Sequence, residues 1–339
     1  MYFIAKNLLF CLDPEVAHDL SMEMMGAAER LHLLKPFCAK IEGPGVDVMG
    51  LHFPNPVGLA AGLDKNADYL NGLGQLGFGF IEVGTVTPRP QPGNPQPRLF
   101  RLKEEEAIIN RMGFNNKGVA HLVGRVKKRR YSGILGINVG KNKLTAEVDA
   151  LRDYQLCMEA VYQYADYITV NISSPNTPGL RNLQFGDAFE ALLKGIKLKQ
   201  KELSDKHQKY VPIAVKIAPD MSEDELYEIA KALLAHNIDG VIATNTTLAR
   251  DGVSGSRYKD QAGGLSGRPL TAMSTQTIKL LSLQLKDEIP IIGVGGIMSG
   301  ACAKEKIDAG ASLVQIYTGF IYQGPGLIKE AAESISPAL

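Results

Sequence analysis

The 339-residue chain is 45% hydrophobic and 22% charged, with a formal net charge of +1 and no long block of either sign. That composition can bury a large core, in one large domain or one plus a small appendage, and offers no electrostatic footprint for nucleic acid or another polyanion. No apolar run approaches the roughly 18–20 residues that span a bilayer, no basic segment followed by an apolar core and cleavage site opens the chain, and Cys11, Cys38, Cys157 and Cys302 lack both CxxC pairing and metal spacing with histidine, which reads as buried thiols in a reducing compartment.

Residues 1–40 precede the first strand signal. Asp13 suits an N-cap, Pro14 a first helical position, and Glu15 the positive end of a helix dipole. Val16, Leu20, Met24, Ala27, Ala28 and Leu31 then fall on one helical face, while Leu8, Leu9, Phe10, Met22 and Met25 add apolar surface beyond one stripe. Such a helix packs on the body of the protein, or keeps part of its apolar surface exposed to lie in a membrane interface or admit a lipid-like molecule. With four Lys/Arg and five Asp/Glu in these 40 residues, any membrane attraction would be hydrophobic rather than electrostatic.

From about residue 54, eight β-rich runs recur at 56–61, 80–85, 134–139, 167–172, 211–217, 240–244, 290–294 and 313–317. Most are nearly continuous in Val, Ile, Leu, Gly and Ala, as strands buried on both faces should be. Helix signals lie between them: an amphipathic stretch at 187–203, a capping box at Ser222–Glu225, and a helix from Ser299 or Gly300 to about Ala309. Eight β-α alternations fit a (β/α)₈ TIM barrel with a small N-terminal helical extension (1–40, then 41–339) better than an open doubly wound sheet. Two connections are long. Residues 87–116 start Pro-rich and carry two short apolar runs, as a hairpin-like excursion would; residues 246–267 are polar and Gly-rich and could form a mobile lid, the sequence leaving open which long connection covers the site.

Barrel active sites form where strands end at the C-terminal face. Here those ends carry Ala60 to Lys65, then Gly84-Thr85, Asn138, Asn171, Lys216, Thr244 to Thr247, Gly293 to Ile297, and Tyr317-Thr318-Gly319. Lys65 alone reads more readily as a surface lysine than as a site cation. Lys216, inside an apolar strand, must face a polar cavity or a buried anion, because an unpaired buried charge is costly. Glycine turns opening helices after the last two strands suit a phosphate, and together these ends suit a phosphorylated, flat cofactor. Asn110 to Asn116 adds amides and one aromatic, or is simply a turn. None of the six histidines occupies a strand end, which argues against metal-dependent hydrolysis and His-based acyl transfer. Ser174 is left as the candidate base, with Thr177 and a water near Phe114 as possible proton-relay members.

These motifs resemble the class 2, quinone-dependent dihydroorotate dehydrogenase family over essentially the whole chain. The resemblance rests on AAGLDK at 60–65, GTVTPRPQPGNPQPRLFR at 84–101, NRMGFNN at 110–116, NISSPNTPGLR at 171–181, KIAPD at 216–220, ATNTT at 243–247, GGLSGRPL at 263–270 and GVGGI at 293–297. It implies FMN bound by Ala61, Gly62, Leu63, Asp64, Lys65, Thr85, Asn138, Asn171, Lys216, Thr244, Gly267, Gly296, Tyr317 and Thr318. It implies dihydroorotate held by Lys65, Asn110, Arg111, Met112, Gly113, Phe114, Asn171, Asn176, Asn245 and Thr246, with Ser174 as catalytic base. Class 1 relatives use cysteine at that position and lack the extension; this chain has serine and the extension. The implied reaction takes a proton from C5 of dihydroorotate while C6 delivers hydride to FMN, giving orotate for pyrimidine biosynthesis. A membrane quinone then enters through residues 1–40, and the protein lies peripherally on the cytoplasmic face of the cell membrane. Neither a metal nor a nucleic-acid partner is expected.

Overall fold

Eight parallel strands close into a barrel in the computed structural model, which describes residues 2–34, 41 and 45–335. In chain order, β1 (Val46–Val48) and β2 (Leu51–Phe53) form an antiparallel hairpin, and β3 (Val57–Leu59) and β4 (Phe80–Val86) begin the barrel. β5 (Leu99–Leu102) and β6 (Ala107–Asn110) form a second hairpin outside it. β7 (Ile134–Val139), β8 (Tyr167–Asn171), β9 (Ile213–Ile217) and β10 (Gly240–Ala243) continue the barrel, β11 (Gly264–Gly267) joins the second hairpin, and β12 (Ile291–Val294) and β13 (Leu313–Ile316) complete the closure onto β3. Each of the eight expected runs overlaps one barrel strand.

Side chains alternate between two cores because successive residues of a strand face opposite ways. Ile81 and Val83 of β4, Ile168 and Val170 of β8, and Val215 and Ile217 of β9 point outward and pack beneath the surrounding helices. Phe80, Tyr167, Ala214, Ile292 and Leu313 point inward and fill the barrel floor, which the β1–β2 hairpin plugs with Val48 and Phe53. Above this apolar floor the inward positions turn polar: Glu82, Asn138, Thr169, Asn171, Lys216 and Gln315 are all buried. The strand-end reading reaches Asn138, Asn171 and Lys216 of this layer; Glu82, Thr169 and Gln315 join it because they sit at alternate, inward positions of their strands.

The helix signals hold. The capping box at Ser222 forms both of its hydrogen bonds and opens the helix Glu223–Ala235, the amphipathic stretch becomes Gly186–His207, and Ser299 caps Gly300–Asp308 by accepting from the Cys302 N–H. Two expectations change. The connection 246–267 does not run as loop to its end: Gly264–Gly267 pairs antiparallel with β6, from Gly264 opposite Asn110 to Gly267 opposite Ala107, making a three-stranded sheet beside the barrel mouth. The thiols are not uniformly buried either. Cys157 is buried, Cys302 is intermediate and Cys11 is exposed; Cys38 lies outside the described residues.

Two helices precede the barrel, α1 (Tyr2–Leu9) and α2 (Pro14–Arg30). Asp13 caps α2, its carboxylate accepting from the N–H groups of Glu15 and Val16, a contact whose loss costs about 1 kcal/mol. The stripe Val16–Leu20–Met24–Leu31 does not pack. It is exposed, Val16 at 55% and Met24 at 59%, and a different face carrying Met22 and Met25 joins the outer core. The helix Glu15 carboxylate pairs with Arg98 at 2.6 Å, a nearly buried contact that fastens α2 to the segment before β5. α1 buries none of its side chains. It is held through the Tyr2 hydroxyl, which donates to Ile321 O at 2.6 Å, and Lys6 Nζ, which donates to Tyr322 O at 3.0 Å.

Candidate active site

One cavity of about 610 Å³ runs from the barrel mouth to the gap between α1 and α2, a size that holds a cofactor with a small substrate. Ser174, Lys216, Thr85 and Asn171 line its inner end; His18, Met24, Leu9 and Arg101 line the outer end. The β-strand period explains the inner wall. Asn171 and Lys216 are inward residues at paired positions of β8 and β9, so a carboxamide and an ammonium meet at the mouth.

The carboxamides and hydroxyls there hold one another. Thr85 Oγ1 donates to Asn138 Oδ1 at 2.6 Å, and Asn171 Nδ2 donates to Thr85 Oγ1 at 2.9 Å and to Asn138 Oδ1 at 3.2 Å. Asn176 Nδ2 reaches across to the Asn110 carbonyl at 3.1 Å, tying the loop after β8 to the end of β6. Arg181 pins the same loop from behind, donating to Ser173 O at 3.1 Å and Thr246 O at 2.9 Å and pairing with Asp220 at 2.8 Å. Ser174, only 5% exposed, is therefore carried on a braced loop. Its Oγ accepts from the Asn176 N–H at 3.3 Å, and no histidine or carboxylate bonds to it among the described residues. Thr177 Oγ1, three residues on, is buried with no hydrogen-bond partner among the described residues.

Two lysines supply the positive charge. Lys216 is 6% exposed, and its ammonium makes no hydrogen bond or ion pair among the described residues. Burial lowers its pKa, with the Glu82 carboxylate acting in the opposite sense. Lys65 at the end of β3 is lowered to about 8, again by burial first, with Glu15 opposing. The glycine turn after β12 is built for close approach: Gly295 and Gly296 have φ of 122° and 70°. A Cβ on Gly296 would lie 2.2 Å from Thr271 Oγ1, so this turn admits no other residue without rearrangement.

The cavity wall includes Ala61, Gly62, Leu63, Lys65, Thr85, Asn171, Lys216, Thr244, Gly267, Gly296, Tyr317 and Thr318 among the residues expected to hold cofactor. It also includes Asn110, Met112, Gly113, Phe114, Asn176, Asn245 and Thr246 among those expected to hold substrate. Three expected residues stand back from it. The Asp64 carboxylate turns away to accept from the N–H groups of Asp68 and Tyr69 at 2.9 and 2.8 Å, and burial raises its pKa to about 6. Asn138 lies wholly buried one layer below. The Arg111 guanidinium donates outward to Gln261 Oε1 and Pro97 O, both at 2.8 Å.

Three residues at this site carried no sequence signal of their own. His18, dismissed because it is not at a strand end, faces the outer cavity from α2, and burial followed by repulsion from Lys65 lowers its pKa to about 4. Arg101 of β5 lies 4.1 Å over the Phe10 ring at the same throat. Glu82 sits beneath the inner end. His18 falls one turn beyond Pro14 on the cavity-facing side of α2, a position that helical spacing could have flagged.

A family model described as dihydroorotate dehydrogenase matches residues 45–339. The chain belongs to the dihydroorotate dehydrogenase family. Among curated relatives, a protein of Teredinibacter turnerae named dihydroorotate dehydrogenase (quinone) is 65% identical over 336 residues, covering 99% of each chain. One of the same name from Saccharophagus degradans is 63% identical over 338 residues, covering 100% of each. Among solved structures, the Eimeria tenella DHODH in complex with ferulenol superposes with a TM-score of 0.88 at 39% identity, over 95% of this chain and 90% of that one. The match extends through the helices ahead of the family model, so the extension as well as the barrel is shared with these dehydrogenases.

Proposed function

We propose that this chain is an FMN-dependent dihydroorotate dehydrogenase that oxidises dihydroorotate to orotate in pyrimidine biosynthesis and delivers the electrons to a membrane quinone. The observation that carries this reading is the single cavity joining Ser174 and Lys216 to the gap between α1 and α2. A hydrolase or a plain binding barrel needs no apolar second entrance.

The residues present fit FMN. Among the described residues Lys216 has no ion-pair partner and Gln315 Oε1 is a buried acceptor with no donor, and the turn at Gly295-Gly296 offers bare backbone. Bound there, FMN would supply a ring that accepts the hydride lost from C6 of dihydroorotate and a phosphate for the glycine turns. The chain's own residues do the rest. Ser174 takes the C5 proton, with the unpartnered Thr177 hydroxyl as its relay. Lys65 meets the substrate carboxylate, and Asn110, Asn171, Asn176 and Asn245 bond the planar amide edges. Lys216 offsets negative charge that accumulates on the ring. In the outer throat His18 and Arg101, beside Tyr2, Lys6 and Ser21, are polar groups that a quinone oxygen could meet, and His18 is neutral at pH 7 given its lowered pKa.

Anaerobic addition of dihydroorotate should bleach the yellow protein, and a short-chain quinone should restore its colour. Colourless protein, or colour untouched by dihydroorotate, would remove this reading. Lys65 predicts a pH effect. Its ammonium is present below about 8 and lost above it, so KM for dihydroorotate should rise as pH increases through 8 in steady-state assays. A flat KM between pH 7 and pH 9.5 would place the carboxylate elsewhere.

The exposed apolar residues at the outer entrance support peripheral membrane contact on the cytoplasmic face, with residues 1–40 as the quinone-access segment and 41–339 as the catalytic domain. Among the described residues no helix is long and apolar enough to cross a membrane. Ile4 and Leu8 are 70% and 69% exposed, so changing both to Asp should cost little stability. Losing roughly 1.5–3 kcal/mol of burial per side chain should cut binding to phospholipid vesicles by at least tenfold. Undiminished co-sedimentation of Ile4→Asp/Leu8→Asp with vesicles would refute the contact.

A further inference from the structure

Glu82 is the one carboxylate among the described residues that faces the barrel interior, and it is fully buried. Its Oε1 accepts from Asn138 Nδ2 at 2.8 Å; its Oε2 accepts from Tyr167 OH at 2.9 Å, Thr169 Oγ1 at 3.0 Å and Gln315 Nε2 at 2.8 Å. It forms no ion pair among the described residues and does not line the cavity. Neutral groups would fill this space at lower desolvation cost, so a carboxylate here calls for a reason.

The reason lies in direction. A carboxylate only accepts, whereas a carboxamide presents a donor or an acceptor depending on which way it is turned. With Asn138 Nδ2 bound to Glu82, Asn138 Oδ1 must face the mouth, where it accepts from Thr85 Oγ1 and Asn171 Nδ2. Asn171 Oδ1 then faces onward and accepts from the Ser173 hydroxyl at 3.1 Å and, at 3.5 Å, from Asn245 Nδ2, whose shorter bond of 3.0 Å goes to that same Ser173 hydroxyl. Asn245 Oδ1 in turn accepts from the Thr246 N–H at 2.8 Å. Every amide points its NH₂ toward Glu82.

We propose that Glu82 is a positioning residue for substrate binding: its carboxylate fixes the sense of the Asn138–Asn171–Asn245 carboxamide chain, so that the residues at the mouth present one defined pattern of donors and acceptors. Neutralising it as the amide permits the reversed arrangement, in which Asn138 Nδ2 faces Asn171 Nδ2 unless the whole chain turns over. The proposal rests on the dihydroorotate reading above.

The test uses the full-length, flavin-loaded protein. Glu82→Gln keeps the shape and removes the acceptor-only character. Orotate affinity, read from its perturbation of the flavin spectrum, should fall roughly 10- to 100-fold, the range for mispaired buried polar groups. FMN retention should change far less. Asn245→Ala should cost less orotate affinity in the Glu82→Gln background than in the parent, because the chain couples residues that do not touch. Orotate affinity within twofold of the parent, or strictly additive effects of the two substitutions, would overturn the proposal. Should Glu82→Gln purify without flavin, Glu82→Asp decides: restored flavin and orotate binding support the acceptor role, and a second flavin-free protein counts against it. If the parent protein itself ignores orotate, the dihydroorotate reading fails rather than this one.

Discussion

Flavin bleaching by dihydroorotate in the Ser174→Ala protein is expected to be slower by roughly 10²–10⁴-fold, the usual contribution of a positioned general base, with flavin content unchanged. Ser174 is buried at the cavity wall on a loop braced by Asn176 and Arg181. Losing its hydroxyl removes only the weak acceptor for the Asn176 N–H, so the fold should survive. Among the described residues no histidine or carboxylate bonds the Ser174 hydroxyl: Asp64 bonds backbone N–H groups, Glu82 sits a layer below, and Glu15 is paired with Arg98. Stopped-flow single turnover isolates the step from quinone chemistry. Bleaching at the parent rate would transfer the role to Thr177 or to water.

Lys216→Met should lower the flavin midpoint potential and weaken FMN binding. The ammonium is nearly buried and makes no hydrogen bond or ion pair among the described residues, so its stabilisation of negative charge on the ring is poorly screened. A charged hydrogen bond contributes roughly 1.5–3 kcal/mol, which for a two-electron couple corresponds to about 30–65 mV. Methionine keeps the apolar stem packed between β8 and β10, so a thermal shift of only a few degrees is expected alongside. An unchanged potential, measured by dye equilibration, would mean that Lys216 serves the fold through Glu82 instead of the cofactor.

The barrel was legible because buried parallel strands advertise themselves as apolar runs, and the caps at Asp13, Ser222 and Ser299 because their chemistry is local. The strand-end residues were legible for a related reason: once eight runs are counted, the residue after each is placed at one face. The strand Gly264–Gly267 was not legible. It has four residues, two of them at its glycine ends, and its pairing partner β6 lies more than 150 residues away in sequence. For the apolar stripe of α2 the sequence left packing and exposure open, because periodicity identifies an apolar face without saying what it meets; the structure leaves it exposed. The true packing face, around Met22 and Met25, is set by the neighbouring helix Leu70–Leu73 and by β5.

By itself the sequence determined the fold class, the residue types at the barrel mouth and the family, because all three follow from local pattern. Only the tertiary structure decided that Glu82, Asn138, Asn171 and Asn245, from four different strands and their ends, form one directed chain, and that His18 and Arg101 line the far end of the cavity that holds Ser174. Those facts depend on which inward positions meet across a closed barrel and on which face of α2 turns toward it. Strand pairing and helix docking set that geometry over distances that no sequence window spans.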